Sequence, residues 1–222
     1  MKNIILTGAS SGIGQAVAKA LDNGAYRIAI AGRNKERLEA LGKELSCEYI
    51  IHQGDVRDYA DSKKMIETCI ERWGQVDVLI NNAGLGYFDP LDSGKIDEWN
   101  AMVDINIKGI LNCLHVALPS LKACKGHVIN VGSVASHQVF PNSGVYSATK
   151  HAVLAISQSM RIELNGQVKV TTISPGPVDT DFINKTSNQE LADGMREYFA
   201  SALRPSDVAD QVRHVIESPD SV

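Results

Sequence analysis

Residues 2–14 read K-N-I-I-L-T-G-A-S-S-G-I-G, an apolar strand that runs directly into a glycine-rich turn. Gly8 permits a tight turn out of the strand, Gly12 lets the backbone approach a ligand closely, and Gly14 lets the following helix pack near the strand. The N-terminus of that helix offers free N–H groups to a pyrophosphate. No G-K-[ST] follows, which excludes a mononucleotide P-loop. The stretch therefore predicts a dinucleotide-binding βαβ unit, and the competing interpretation is a purely structural turn.

Short β-branched runs alternate with longer helical patterns along the chain, and most of the runs are apolar on both faces. Such strands are covered by helices on both sides of a sheet. The sequence therefore predicts an α/β fold, a doubly wound parallel sheet in a single domain over residues 1–222. The predicted strands are 2–7, 26–31, 48–52, 76–81, 127–131 and 169–174. The predicted helices lie near 12–22, 34–45, 60–73, 96–118 and 144–164.

The totals exclude several classes of protein. A net charge of −4 over 222 residues argues against nucleic acid or an anionic membrane as the main partner. The cysteines show no C-x-x-C spacing and the histidines no H-E-x-x-H or H-x-H pattern, so we expect reduced thiols and no metal site. No apolar stretch approaches the roughly 20 residues of a membrane span, and the N-terminal apolar run is too brief for a signal peptide. These features predict a cytoplasmic protein.

The end of the second predicted strand indicates which dinucleotide is bound. An NAD enzyme usually has an acidic residue there, about 20 residues past the glycine-rich loop, to hold ribose hydroxyls. This chain has A-G-R-N at 31–34, with Gly32 where the acid is expected and Arg33 directly after it. An acid would repel a 2′-phosphate, whereas a guanidinium would bind it. We therefore expect NADP(H) as the cofactor, the alternative being that Arg33 is a solvated surface charge.

Two stretches place a lysine four residues after a tyrosine: Y-S-A-T-K at 146–150 and Y-A-D-S-K at 59–63. Each tyrosine also has a serine thirteen residues before it, Ser133 and Ser46 respectively, so spacing alone cannot separate them. In doubly wound sheets the ligand lies beyond the carboxyl ends of the strands. Ser133 directly follows the fifth predicted strand, whereas Ser46 directly precedes the third. We therefore expect the later pair to face the site and the earlier pair to form the first turn of a surface helix.

These residues together resemble the short-chain dehydrogenase/reductase family, over nearly the whole chain. The resemblance rests on motifs at 7–14, 55–56, 81–84, 104–106, 132–133, 146–150 and 175–180. Within the family, the chain is most similar to NADP-dependent 3-hydroxy-acid or serine dehydrogenases. The resemblance implies a Rossmann fold with strand order 3-2-1-4-5-6, and the family's final strand is missing after S-P-D-S-V at 218–222.

Four residues are the candidate catalytic group. Lys150 lies one helical turn beyond Tyr146, so its charge is expected to lower the tyrosine pKa and make Tyr146 the general acid/base. Ser133 would donate a hydrogen bond to the substrate oxygen. By the resemblance, Lys150 also holds the nicotinamide ribose, and Asn106 holds a water that relays protons. The alternatives are a polar helix start for the pair, a cap or turn residue for Ser133 and a buried helix-kink residue for Asn106.

The family pattern also implies the cofactor contacts. Asp55 and Val56 would bind the adenine edge, residues 82–84 would line the ribose, and residues 175–180 would wrap the nicotinamide. The expected cofactor-binding residues are Gly8, Ser10, Ser11, Gly12, Ile13, Gly14, Arg33, Asn34, Asp55, Val56, Asn82, Ala83, Gly84, Tyr146, Lys150, Pro175, Gly176, Val178 and Thr180.

Three segments are expected to line the substrate pocket: 85–90, 134–138 and 179–203. The last is a long polar connection, which favours a mobile substrate lid. Within these segments the candidate side chains are Tyr87, Phe88, His137 and Phe182, and each is about equally well interpreted as plain packing.

Two apolar helices, 96–118 and 144–164, suggest a helix-packed homodimer or homotetramer, as the family resemblance also implies. Pro119 is expected to end or kink the first of them. The sequence thus predicts an oxidoreductase that transfers a hydride between NADP(H) and a small-molecule substrate, a hydroxy acid, ketone or aldehyde. The alternatives are a 3-oxoacyl-carrier-protein reductase and a non-catalytic NADP(H)-sensing regulator.

Overall fold

The computed structural model describes residues 1–182, 186, 188, 193–194 and 202–219. Six parallel strands form one sheet in the order β3-β2-β1-β4-β5-β6. They are β1 (Lys2–Thr7), β2 (Tyr26–Gly32), β3 (Tyr49–Gln53), β4 (Val78–Asn81), β5 (His127–Val131) and β6 (Lys169–Ile173). The predicted fold class and strand order are confirmed.

Helices cover both faces of the sheet. They are α1 (Gly12–Ala20), α2 (Lys35–Glu44), α3 (Tyr59–Trp73), α4 (Ile96–Val103), α5 (Gly109–Ala123), α6 (Gly144–Leu164) and α7 (Pro205–Glu217). A π-helical turn, Asp104–Lys108, joins α4 to α5, and a short 3₁₀ turn, Val134–Ser136, follows β5. The π-helical turn lies inside the helix predicted at 96–118, and the 3₁₀ turn lies in a stretch predicted as loop.

One helix was missed and one predicted helix end was wrong. No helix was predicted after 164, yet α7 places Pro205 at its start and buries Val208, Val212 and Ile216 along one stripe. Pro119 does not end its helix, since α5 continues past it to Ala123, and a kink at Pro119 stays a prediction. The departure from α-helical geometry falls earlier, in the π-helical turn.

The core consists of two apolar layers, one on each face of the sheet. Along β1, Ile4 and Leu6 point into the layer shared with α1, α2 and α7, whereas Ile5 points into the layer shared with α3, α5 and α6. All three are fully or almost fully buried. This explains why the strands are apolar on both faces, since every side chain of a covered parallel strand meets a helix.

The strand order fixes where a ligand binds. Because β1 lies between β2 and β4, the chain leaves the sheet in opposite directions on its two sides. Such a reversal opens a crevice beyond the carboxyl ends of the strands. The glycine-rich loop after β1 and the loops after β4 and β5 converge on this edge.

One helical stretch, Ile96–Ala123, is long and apolar enough to cross a membrane by length and composition alone, contrary to the prediction that no such stretch exists. One such helix is weak evidence, because the core helix of a soluble protein passes the same test. Here 44% of its most apolar part is buried inside the protein.

Candidate active site

The glycine-rich loop has the geometry that its sequence predicts. Gly8 and Gly12 have φ angles of +68° and +55°, a backbone conformation that favours glycine. A Cβ atom on Gly14 would lie 2.2 Å from the carbonyl oxygen of Gly8, so only glycine lets α1 start this close to the strand. A Cβ on Gly12 would lie 3.1 Å from the Thr180 methyl group, which places the 175–182 segment against the loop.

Thr7 and Asn82 tie the ends of β1 and β4 together. The Thr7 hydroxyl accepts hydrogen bonds from the backbone N–H groups of Asn82 and Ala83, each at 3.1 Å. The Asn82 side-chain amide donates to the carbonyl oxygens of Thr7 and Gly8 at 2.9 and 3.2 Å. The amide predicted to line the ribose therefore holds the loop in shape, with its backbone beside the crevice.

A cavity of about 670 Å³ occupies the crevice at the carboxyl ends of the strands. Every expected cofactor residue lines it: Gly8, Ser10, Ser11, Gly12, Ile13, Gly14, Arg33, Asn34, Asp55, Val56, Asn82, Ala83, Gly84, Tyr146, Lys150, Pro175, Gly176, Val178 and Thr180. Ser133 lines it too. Among the catalytic and cofactor-binding candidates, Asn106 alone does not line the cavity, although its neighbour Ile105 does.

Three of the four candidate catalytic side chains meet at one end of this cavity. Tyr146 and Lys150 lie in the first two turns of α6, and both are buried, with exposed fractions of 9% and 7%. The Lys150 ammonium donates to the carbonyl oxygen of Val131 at 2.9 Å and lies 5.9 Å from the centre of the Tyr146 ring. Ser133 faces them from the end of β5. The crevice thus holds a phenol, an ammonium and a hydroxyl together.

Ser133 is also a cap, as the alternative interpretation allowed. Its hydroxyl oxygen accepts a hydrogen bond from the backbone N–H of Ala135 at 3.1 Å, and its own N–H donates to the Ser136 hydroxyl at 3.2 Å. Capping uses only a lone pair, so the Ser133 O–H proton can still be donated. The cap and the catalytic role are therefore compatible, because the cap fixes the direction in which the hydroxyl points.

The pKa of Tyr146 departs from its ordinary value in the direction opposite to the prediction. Burial raises the pKa of the phenol to about 12, and a hydrogen bond with Ser133 lowers it only partly. Burial also lowers the pKa of Lys150 to about 8. Both shifts have one cause, since removing a charged group from water disfavours its charged form. Lys150 directs its ammonium at a backbone carbonyl rather than at the phenol oxygen, so proximity along the helix does not produce the expected lowering.

Asn106 lies in the π-helical turn and is almost fully buried. Its side chain pairs with the backbone of Leu85, accepting from the N–H at 2.9 Å and donating to the carbonyl oxygen at 2.8 Å. It also donates to the Thr149 hydroxyl at 3.0 Å. These bonds join the loop after β4 to α6, between Tyr146 and Lys150. The geometry matches the helix-kink alternative, and the water relay stays a prediction.

The other end of the cavity lies beyond β2 and β3. Arg33, Asn34 and Arg37 line it, and the Asn34 side chain caps α2 by accepting from the Arg37 N–H at 2.8 Å. Arg37 was not among the predicted residues, although the R-N-K-E-R spacing at 33–37 is its signal. Two arginines, Arg33 and Arg37, therefore line the cavity beside Gly32, which has no side chain of its own.

Asp55 lies on the same side, where it forms an ion pair of 2.7 Å with Arg57. The pKa of Asp55 is lowered: burial raises it, but hydrogen bonds from Arg57 outweigh burial. His52 and Asp61 also line this end and were missed. The strand-end rule would have found His52, which lies near the end of β3. Its Nε2 is buried without a hydrogen-bond partner, and burial lowers its pKa.

Only part of the predicted substrate pocket was right. Phe88 and Phe182 line the cavity, whereas Tyr87 and His137 do not. His137 is exposed, with its Nε2 3.1 Å from the Ser174 hydroxyl. Residues 140–143 also line the cavity and were missed, since nothing in F-P-N-S distinguishes them from an ordinary turn.

The lid, predicted at 179–203, lies largely outside the described residues. Its two described ends are joined by a β-bridge between Val178 and Leu203. Within the described part of the chain, no group of three or more histidine, cysteine, aspartate or glutamate side chains is arranged to hold a metal ion.

The competing tyrosine–lysine pair lies away from the site, as predicted. Tyr59 begins α3, is 45% exposed and contacts the His115 ring. Lys63 pairs with Glu67 on the surface of the same helix, 3.7 Å apart. Neither residue lines the cavity. The position of each pair relative to its strand, rather than its spacing, decides which one faces the crevice.

Comparison with known proteins shows the family to which the chain belongs. The family model for short chain dehydrogenases matches residues 2–191. An uncharacterized oxidoreductase of Staphylococcus saprophyticus is 36% identical over 224 residues, which cover 99% of this chain and 91% of the relative. The chain therefore belongs to the short-chain dehydrogenase/reductase family and is an oxidoreductase of that family.

Three solved structures resemble the chain over nearly its whole length. The alcohol dehydrogenase from the archaeon Thermococcus sibiricus, complexed with 5-hydroxy-NADP, has a TM-score of 0.90 and 33% identity, covering 100% of this chain and 93% of that one. The closed form of serine dehydrogenase complexed with NADP⁺ has a TM-score of 0.92 and 32% identity, covering 99% and 91%. A 3-ketoacyl-(acyl-carrier-protein) reductase from Brucella melitensis, complexed with NADH, has a TM-score of 0.87 and 25% identity, covering 99% and 92%.

Proposed function

We propose that this protein reduces a small carbonyl compound with NADPH, and oxidises the corresponding alcohol with NADP⁺ in reverse. NADPH would supply the hydride to the carbonyl carbon, Tyr146 would give its proton to the carbonyl oxygen, and solvent would return a proton to Tyr146. The products would be the alcohol and NADP⁺. One observation carries the proposal. Tyr146, Lys150 and Ser133 lie together at one end of the cavity that the glycine-rich loop also lines.

The raised pKa of Tyr146 suits the reductive direction. A phenol with a pKa of about 12 keeps its proton at neutral pH, which is the form that a general acid needs. Oxidation needs the phenolate instead. The positive nicotinamide ring of NADP⁺ and the Lys150 ammonium would both favour that form, since opposite charges nearby lower the pKa of an acid.

Two arginines support NADP(H) over NAD(H). Arg33 and Arg37 line the end of the cavity where β2 stops, and Gly32 leaves no acidic side chain there. A Cβ on Gly32 would lie 3.3 Å from the Ser10 hydroxyl, so this serine also stands at the same place. A 2′-phosphate would meet two guanidinium forks and a hydroxyl, all donors. The named structural neighbours contain both NADP-type and NADH ligands, so the preference rests on these side chains.

The acid/base role is tested by Tyr146→Phe. Losing the phenol hydroxyl removes the proton donor, and we expect the rate of NADPH oxidation with an aldehyde substrate to fall about 100-fold or more. NADPH binding, followed by fluorescence, is expected to stay within about threefold, because the ring is retained. Tyr59→Phe in the surface pair is the matched control and should keep full activity. Retained turnover in Tyr146→Phe would refute the role.

The cofactor preference is tested by Arg33→Ala, Arg37→Ala and the double variant. Each lost charged hydrogen bond is expected to weaken NADPH binding about tenfold, with NADH binding nearly unchanged. Lys35→Ala on the same helix is the control, since its ammonium is exposed and does not line the cavity. An unchanged ratio of NADPH to NADH affinity in the double variant would overturn the assignment to NADP(H).

The same assays address the alternatives. A non-catalytic sensor would bind NADPH but turn over no carbonyl compound. A carrier-protein reductase would prefer acyl thioesters on a carrier to free carbonyls. We also propose a homodimer and a cytoplasmic location with no nucleic-acid or membrane partner, as the composition and the family resemblance imply.

A further inference from the structure

Three aromatic rings form a wall beside the catalytic phenol. The ring centres of Phe88 and Tyr146 are 5.4 Å apart, those of Tyr146 and Phe182 are 5.7 Å apart, and those of Phe88 and Phe182 are 6.4 Å apart. All three contacts are tilted or edge-on, the geometry that aromatic pairs favour. Phe88 is buried and Phe182 half-buried, and both line the cavity. A molecule that reaches the Tyr146 hydroxyl therefore lies against aromatic carbon.

Gly86 lets the rings of Phe182 and Tyr146 pack directly against the backbone of the loop after β4. A Cβ atom there would lie 2.8 Å from Cε1 of Phe182 and 3.0 Å from Cδ2 of Tyr146, closer than real side chains approach. The residue has no left-handed backbone requirement, so its glycine serves the packing of the two rings. Any larger residue at 86 would displace Phe182.

Among the described residues, the charged side chains at this end of the cavity do not suit an anionic substrate. In the part of the cavity lining that the structure describes, the two arginines are Arg33 and Arg37, which follow β2. They lie far from the catalytic end, because β2 is three strand spacings, about 14 Å, from β5, which Ser133 follows. Lys150, at this end, donates its hydrogen bond to the backbone carbonyl oxygen of Val131.

From this arrangement we infer that the substrate is an uncharged carbonyl compound with an apolar, ring-sized substituent, rather than a hydroxy acid such as serine. The substituent packs against Phe88 and Phe182, and Gly86 fixes the space that it fills. The inference rests on the proposed function and narrows its substrate class. It departs from the resemblance to 3-hydroxy-acid and serine dehydrogenases, whose substrates carry a carboxylate that needs a cationic or hydrogen-bonding partner.

Matched substrate pairs test the charge. Benzaldehyde is compared with 4-carboxybenzaldehyde, and methyl 3-oxobutanoate with 3-oxobutanoate, by NADPH oxidation on the full chain. We expect kcat/KM about tenfold or more in favour of the uncharged member of each pair. Equal or greater kcat/KM for the carboxylates, or efficient oxidation of serine with NADP⁺, would overturn the inference while leaving the proposed function standing. No turnover of any member would instead count against the proposed function itself.

Two variants test the wall. Gly86→Ala is expected to lower the ratio of kcat/KM for benzaldehyde over propanal about fivefold or more, because the new methyl group displaces the Phe182 ring. Phe182→Leu should lower the same ratio by removing the ring contact. NADPH affinity should not change in either variant. Tyr59→Leu, which removes an exposed ring from α3, is the control and should keep the parent ratio. An unchanged ratio in both cavity variants would overturn the role of the wall, and the substrate pairs stand as a test if either variant fails to fold.

Discussion

Lys150 illustrates how this site is built at the expense of stability. Its ammonium is buried with a single hydrogen bond, to the carbonyl oxygen of Val131, and burial lowers its pKa from 10.5 to about 8. The unfolded chain therefore holds the proton more tightly than the folded protein does. Below pH 8 the amine is charged in both states, and the folded state bears the desolvation penalty. That penalty disappears as the pH rises past 10.5.

We therefore predict that Lys150→Met abolishes turnover yet makes the protein more stable at pH 7. The pKa shift corresponds to a desolvation penalty of about 3 kcal/mol, which the variant no longer has. The variant also loses one hydrogen bond, worth about 1 kcal/mol, so its free energy of unfolding should rise by about 2 kcal/mol. Urea unfolding of the parent and the variant at pH 7 and pH 10.5 measures it, and the gain should shrink at the higher pH. Lys63→Met in the surface pair is the control, expected within about 0.5 kcal/mol of the parent. A destabilised Lys150→Met protein would contradict this account.

The residues of the site were more predictable than their electrostatics. The strand-end rule correctly separated Tyr146 from Tyr59, because it depends only on where each motif falls along the chain. The Tyr146 pKa was predicted in the wrong direction, because helical spacing gives the separation from Lys150 but not the burial of the phenol or the carbonyl that the ammonium binds. Arg37 and His52, which also line the cavity, were missed although the R-N-K-E-R spacing and the strand-end rule pointed to them.

Among the elements, the apolar helices predicted at 96–118 and 144–164 led to the prediction of a dimer, which stays a prediction. Part of their apolar surface has another partner, because Met102, Ile110 and Leu114 are buried within the protomer. A period of 3.6 residues shows that a face is covered without showing what covers it. The side chains that support a dimer are instead the exposed apolar ones on the same helices, chiefly Leu111 at 47% and Ile162 at 78% exposure.

We predict that Leu111→Glu and Ile162→Glu weaken the proposed homodimer, because each puts a charge into a surface that association would bury. Light scattering at increasing protein concentration should give twice the 24.0 kDa chain mass for the parent. The same measurement should give a value approaching the single chain for the double variant. Leu91→Glu is the control, since Leu91 is also exposed but lies outside both helices, in a turn. A parent protein that stays monomeric at all concentrations would refute the dimer.

Over the whole molecule, the fold was predictable because local and global signals agree. Each β-branched run became a strand to within a few residues, and two-sided burial follows from one parallel sheet between helices. The π-helical turn was not predictable, since D-I-N-I-K continues an apolar helical pattern and its cause, the clamp between Asn106 and Leu85, is tertiary. The same holds for His127, which sequence alone presents as one more strand residue.

His127 lies at the first residue of β5, at the end of the sheet opposite the site. It is buried, and its Nε2 lies 2.8 Å from the Thr171 hydroxyl. Its pKa is lowered from 6.5 to about 3, chiefly by burial and to a lesser extent by the charges of Lys169 and Lys2. A histidine with a depressed folded-state pKa gives its full stability above pH 6.5, and that stability is lost as the pH falls toward 3, because the unfolded chain takes up the proton first.

We therefore predict that His127 accounts for about 2 kcal/mol of the stability lost between pH 7 and pH 5. His127→Gln keeps a hydrogen-bonding group for Thr171 but cannot titrate, so its unfolding free energy should fall less over this range by about that amount. Urea unfolding at both pH values measures the difference, and other titrating groups cancel in the comparison with the parent. His214→Gln, at an exposed position on α7, should keep the parent slope. Equal slopes for the parent and His127→Gln would show that this histidine protonates as readily in the folded protein as in the unfolded chain.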